Sequence, residues 1–368
     1  MKSKISLKTI MGIVMSICIL SIFAVRLAGA DDKSYGGRSL DYFKYLMDGA
    51  KLSEQEIQDL ESELEKDIND LKIRAKLIGF YSGKRFTSDS AKKMYQEHVI
   101  WLIENKPESE LILQGHFVLM EGLDDRYAYA KGLWIKQIEA HPDNLAIIEN
   151  AIDYFMVGVH SGKLAVTYIE KAKLLAPGNP KWAEKLGQCY MLQTIMTFDQ
   201  EQKIELAKKS LEEYEESYAL IKDNDRKNHL LNDLAKAAFK AGEIIKAEKY
   251  ASELLKKAAS DKVNIMYGNA IHDGNMILGR IALKSGDIEK AKKYLIESGK
   301  TPGSPVLDSF GPNMSLAKEL LEKGEWNTVL EYFELISKFW ESNDDELKKW
   351  KESVKKEIIP DFGGNLLY

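Results

Sequence analysis

Gly268-Asn269-Ala270-Ile271-His272-Asp273-Gly274-Asn275-Met276-Ile277-Leu278-Gly279-Arg280-Ile281-Ala282 has apolar residues at helical spacing. After Gly286-Asp287 a second such run follows, Ile288-Glu289-Lys290-Ala291-Lys292-Lys293-Tyr294-Leu295. Gly-Asp between two helical patterns is turn chemistry, because glycine reaches the backbone conformation that ends a helix and aspartate starts the next. Gly279, Ala282 and Ala291 are small where two antiparallel helices have to approach closely. The stretch predicts a helical hairpin. A lone hairpin cannot bury its apolar face, so this one predicts neighbours stacked on both sides.

Downstream, Lys300 to Asn313 reads as a long loop with three prolines and the small polar residues Thr301, Ser304 and Ser309. A loop of that length is either a binding element or a spacer set by the stacking of helices. A last pair follows, Ser315 to Lys323 and Trp326 to Trp340 around a Gly324-Glu325 turn. Then come a charged terminal helix, Asp344 to Glu357, and a loose tail from Pro360 to Tyr368.

Upstream, Pro107, Pro142 and Pro177 are spaced 35 residues apart, and each ends a helical pattern. Proline removes a backbone donor and restricts the residue before it, so equal spacing predicts equal units. Ala130 and Ala165, also 35 apart, are the small contact residues of two of them. Ser53-Glu54-Gln55-Glu56 has the form of a capping box, with Leu52 and Ile57 placed to staple the helix entry. Leu40 to Met47 reads as a short helix, and Leu71 to Tyr81 begins the repeating part.

Composition agrees with long amphipathic helices. Among 368 residues, 30% are charged and 45% apolar, and none of the 8 prolines lies between Pro180 and Pro302. Such a pattern disfavours a sheet of short strands. The first thirty residues read as a signal peptide: a basic start, an uncharged run from Thr9 to Val25, then Ala28-Gly29-Ala30 before Asp31. The alternative is an uncleaved anchor over residues 9–25. Removing Lys2, Lys4, Lys8 and Arg26 from the 52 basic residues leaves 48 against 57 acidic ones, a mature charge of minus 9. That mixed, mildly acidic balance gives no footprint for nucleic acid. Cys18 lies in the export segment behind Ile17, where a lipoprotein signal needs a small residue. Cys189 would be alone in the mature chain, a buried small hydrophobe with no disulfide partner.

Leu278-Gly279-Arg280-Ile281-Ala282 with Gly286-Asp287, Ala291 and Leu295, and Trp182-Ala183-Glu184-Lys185-Leu186-Gly187-Gln188-Cys189-Tyr190, resemble the tetratricopeptide repeat. That unit is a helix-turn-helix of 34 residues. Asn228 to Lys240 with Gly242 and Ala247 is similar, with Ala235 where the repeat has glycine. Ala207, Leu211 and Tyr214 fit a second helix partnering Trp182 to Ile195. The Gly268 to Trp340 block also resembles exported bacterial repeat proteins of no assigned activity. The resemblance implies an all-α solenoid, a right-handed superhelix of helix-turn-helix pairs over residues 71–340. Residues 31–70 would be the lead-in and N-terminal cap, and residues 341–368 the C-terminal cap and tail. It further implies a protein or peptide partner bound on a concave face lined by first helices. On this sequence those positions are Asn150, Tyr154, Gln188, His229, Asn232, Lys236, Asp273, Met276 and Arg280.

His272-Asp273, beside Asn269 and Asn275, is the most suggestive polar cluster, since an imidazole next to a carboxylate can act as a base or ligand. The plainer reading is a helix start with Asp and Asn satisfying free backbone donors. No nucleophile or third ligand stands nearby, and H-E-x-x-H, G-x-x-x-x-G-K-[ST] and G-x-S-x-G are all absent. Trp101, Trp134 and Tyr168 read as core. Asn313-Met314-Ser315 has the form of a glycosylation acceptor but stands at a helix start, where capping is expected. The expectation is an exported, periplasmic or envelope scaffold with no catalytic residue, metal or cofactor. Its alternatives are an envelope enzyme built around His272 and a membrane-anchored assembly factor.

Overall fold

A computed structural model describes residues 41–114, 119–156, 158, 160–260, 262, 264, 266–340 and 344–367. The expected export segment, the lead-in and the anchor alternative fall outside the described residues. Those residues form seventeen α-helices and two 3-10 turns, and no strand is found among them. The chain divides into two compact units between Gly178 and Asn179.

The first unit contains α1 (Asp41–Gly49), α2 (Glu54–Lys66), α3 (Leu71–Lys84), α4 (Asp89–Asn105), α5 (Tyr127–Ala140), α6 (Leu145–Met156) and α7 (Gly162–Leu175). Helix α3 packs on α1, α2 and α4, and within this unit α4 packs on α5, α5 on α6 and α6 on α7. The predicted capping box is present. The Ser53 backbone N–H donates to Glu56 Oε2 at 2.8 Å, and the Glu56 N–H donates back to Ser53 Oγ. Ile57, the expected staple residue, is buried.

The proline period is visible as helix ends. Helices α4, α5 and α7 stop at Asn105, Ala140 and Leu175, each two residues before its proline, and Ala130 and Ala165 are fully enclosed. The units between them are unequal. Where an even period predicts a first helix before α5, residues Glu110–Gln114 make a 3-10 turn and Gly122 sits at φ +82°. Asp124 is buried there and accepts from the Met120 N–H at 2.6 Å, a local turn bond that competes with helix.

The second unit contains α8 (Pro180–Met196), α9 (Gln200–Leu220), α10 (Asn224–Ala241), α11 (Ile244–Ser260), α12 (Tyr267–Lys284), α13 (Ile288–Gly299), α14 (Pro305–Phe310), α15 (Ser315–Leu321), α16 (Trp326–Ile336) and α17 (Asp344–Lys355). Each helix from α8 to α12 packs on its successor. The first helices of neighbouring pairs also touch, α10 on α12 and α12 on α15, as do the second helices α13 and α16. The turns lie where Gly-acid pairs predict them: Gly242, Gly286 and Gly324 all sit near φ +84°. Two adjoining apolar clusters fill this unit, one running from Ala207 to Leu278 and the other from Met276 to Phe362.

Two segments differ from the sequence expectation. The Lys300 to Asn313 loop contains α14 and folds over the start of α12, where Thr301 donates to the Gly268 carbonyl at 2.9 Å and Ser304 to Asn269 Oδ1. The tail after Pro360 is docked. Phe362 is fully buried against Trp350 and Phe333, Asn365 Nδ2 donates to the Phe310 and Pro312 carbonyls at 3.0 Å, and Asn365 O accepts from the Met314 N–H at 2.8 Å.

Candidate functional site

Helix α10 is fixed at both ends. Asp223 accepts from the Arg226 N–H at 2.7 Å, and Gly242 closes the far end in the left-handed region. Its register turns Asn232 and Lys236, four residues apart, toward the neighbouring first helix. Both reach one oxygen of Asp273 on α12: Asn232 Nδ2 lies 2.8 Å and Lys236 Nζ 2.7 Å from Oδ2. The other oxygen, Oδ1, lies 2.9 Å from His272 Nδ1. Burial opposes the charged form of Asp273, but Lys236 and the His272 contact outweigh it and hold the carboxyl well below the usual carboxylate range.

Farther along the same two helices, Arg280 grips Glu319 of α15 in a fork. Arg280 Nε lies 2.9 Å and Nη2 2.5 Å from Oε1. The Arg280 guanidinium and the Lys284 ammonium both lie over the Phe239 ring, 4.6 and 4.3 Å from its centroid. Charged side chains of first helices α10, α12 and α15 thus pair along one side of these helices, with Lys236, Arg280 and Glu319 partly exposed and Asp273 itself buried.

Of the nine positions named from sequence, Asn232, Lys236 and Asp273 are brought into one hydrogen-bonded group, and Arg280 lies farther along the same face. Gln188 is half-buried on α8 and His229 exposed on α10, and neither joins that group. Met276 is enclosed in the apolar core. Asn150 and Tyr154, in the first unit, have structural work. Asn150 Nδ2 donates to the Pro107 carbonyl at 2.7 Å, and Tyr154 stacks on Tyr127 while its hydroxyl donates to the Tyr127 carbonyl at 3.0 Å. Both side chains are almost wholly enclosed, which removes them from a binding surface.

The His272-Asp273 pair is neither an open catalytic dyad nor a set of helix-start caps. His272 is 0% exposed, with Nδ1 on Asp273 and Nε2 3.4 Å from the Tyr332 hydroxyl. Asn269 accepts from Ser304, and Asn275 donates to the Ile271 carbonyl at 2.8 Å. Asn313 does perform the expected helix-start role, accepting from the Ser315 N–H at 2.8 Å. Cys189 is buried, and burial pushes its thiol up to about 11.

Asp233, Lys240, Glu184 and Glu319 carry no signal of their own in the sequence. Each is an ordinary charged residue on an amphipathic helix, and only long-range packing gives it a role. Among the described residues, no group of three or more His, Cys, Asp or Glu side chains is arranged to hold a metal, and no helix is long and apolar enough to cross a membrane. No protein-family model and no curated protein matches the sequence.

Proposed function

We propose that the chain is an exported, tetratricopeptide-like scaffold that binds a peptide or protein partner on the concave face formed by its first helices, without catalysing a reaction. The supporting observation is the charged side of α10, α12 and α15, where partly exposed Asn232, Lys236, Arg280 and Glu319 come from successive pairs and buried Asp273 holds Asn232 and Lys236 in place. Repeat stacks bind through such faces because every pair adds one more strip of side chains to the surface. In this reading the proline-ended pairs of the first unit and the glycine-turned pairs of the second are variants of one unit. Export rests on residues 1–30 as a signal peptide, with an anchor over residues 9–25 as the alternative.

The competing reading, an enzyme working through His272, requires substrate to reach a ring with no exposed surface and a partner at each nitrogen. A general base has to come within hydrogen-bond reach of the proton it removes. The scaffold reading is tested by recovering crosslinked partners of the full-length protein from the native envelope fraction. Wild type is expected to capture a defined partner, and Lys236→Glu combined with Arg280→Glu is expected to lose it. Equal capture by the double variant would contradict the assignment of the face.

A further inference from the structure

Helix α10 carries two half-buried charges without a direct ion-pair partner. Asp233 and Lys240 are both partly enclosed, and among the described residues neither side chain has an ion-pair or hydrogen-bond partner. They are seven residues apart, so they stand on one side of the helix about 10 Å apart along its axis. Lys236 lies between them and is committed to Asp273. Arg280 is likewise committed to Glu319, which leaves Asp233 and Lys240 as the free charges of this strip.

The surroundings of the two differ in sign. Burial pushes the Asp233 carboxyl up to about 6; Lys236 opposes that, while Glu184 and Asp273 add to it. Burial pulls the Lys240 ammonium down to about 8, helped by Lys236, Arg280 and Lys203. One end of the strip is therefore short of a cation and the other of an anion. A partly buried charge without a counter-charge is costly, and a ligand that supplies one recovers that cost on binding.

We infer that this strip of α10 binds an extended peptide segment carrying a basic and an acidic side chain three residues apart, its cation on Asp233 and its anion on Lys240. The spacing follows from chain geometry. A polyproline-type extended chain rises about 3.1 Å per residue with three residues per turn, so positions i and i+3 share a side about 9 Å apart. That matches two turns of α-helix. In a β-type strand the same two side chains would point to opposite faces. The inference rests on the peptide-binding reading above and deepens it.

The test uses the full-length protein and capped, proline-rich synthetic peptides in a fluorescence-anisotropy titration. The four peptides are Lys-Pro-Pro-Glu, its Lys→Gln form, its Glu→Gln form and the doubly neutral form, all at one ionic strength. The two-charge peptide is expected to bind about tenfold tighter than either singly neutral one, each charge contributing a separable step. Asp233→Asn is expected to erase the preference for Lys over Gln while keeping that for Glu over Gln. Lys240→Met is expected to do the reverse. Both variants remove an unanswered charge and are expected to melt no lower than wild type.

Equal affinity for all four peptides, or equal weakening of every peptide by both variants, would overturn the inference. So would the absence of saturable binding. If binding is absent here while the native partner is still captured through Lys236 and Arg280, the charge assignment alone falls. If both fail, the scaffold reading falls with it.

Discussion

Gly79 shows how a missing methyl group sets the distance between two helices. A Cβ at Gly79 would run into the Leu46 carbonyl of α1, and one at Gly49 would run into the Lys76 carbonyl of α3. The obstacle is backbone on both sides, so it cannot swing away. Gly79→Ala is expected to lower stability by about 1–3 kcal/mol, the range for an overpacked contact. Gly132, in α5, has open space where its Cβ would be, and Gly132→Ala is expected to stabilise by about 1 kcal/mol through helix propensity. Urea unfolding of the two variants should shift in opposite directions. Buried His98 offers a second residue-level test. Arg74 is 3% exposed, lies 3.5 Å over the Trp101 ring and contacts His98 Nδ1 at 3.0 Å. Burial, aided by Arg74, pulls the His98 pKa down to about 3, against about 6.5 in the unfolded chain. Between those values the unfolded chain binds the extra proton, so stability falls as pH drops through that window. His98→Gln should flatten the decline between about pH 6.5 and 3, read as the melting temperature of variant against wild type.

At the scale of elements, hairpins are legible where two signals coincide. Around Gly286 a left-handed glycine and a following aspartate end one apolar period and start the next, and α12 and α13 lie where those signals predict. The Ser53 capping box is equally local. Legibility fails where the deciding contact is distant. Pro360-Asp361-Phe362-Gly363-Gly364-Asn365 has the composition of a loose end, yet Phe362 fills a gap among Trp350, Phe333 and neighbouring core side chains. Nothing in the six residues announces that gap. Phe362→Ala is expected to cost about 3–5 kcal/mol, as for other large aromatic deletions from a core. Truncation after Pro360 should lower the unfolding midpoint at least as much. If the truncated chain unfolds at the wild-type midpoint, the tail contributes nothing to the fold. The site divides the same way. Asn232, Lys236, Asp273 and Arg280 could be named because helical register puts them on first helices. Asp233 and Lys240 share that register but are illegible in the sequence, because their significance lies in the absence of an ion-pair partner. Register also places Asn150 and Tyr154 on a first helix, but they support the irregular segment before α5 and the start of α5.

At the scale of the molecule, charge is spread without a single-sign field, and recognition has to come from arrangement more than from net charge. The second unit supplies such an arrangement by setting first helices beside one another, so that residues about forty positions apart share one face. The central claim is that this face meets the partner. The most direct measurement is site-specific photo-crosslinking in cells, with the probe at exposed His229 on first helix α10 or at exposed Lys256 on second helix α11. The account predicts a discrete partner adduct from position 229 that disappears when Lys236→Glu and Arg280→Glu are added, and none from position 256. An adduct from position 256 alone, or one from 229 that survives both substitutions, would contradict it.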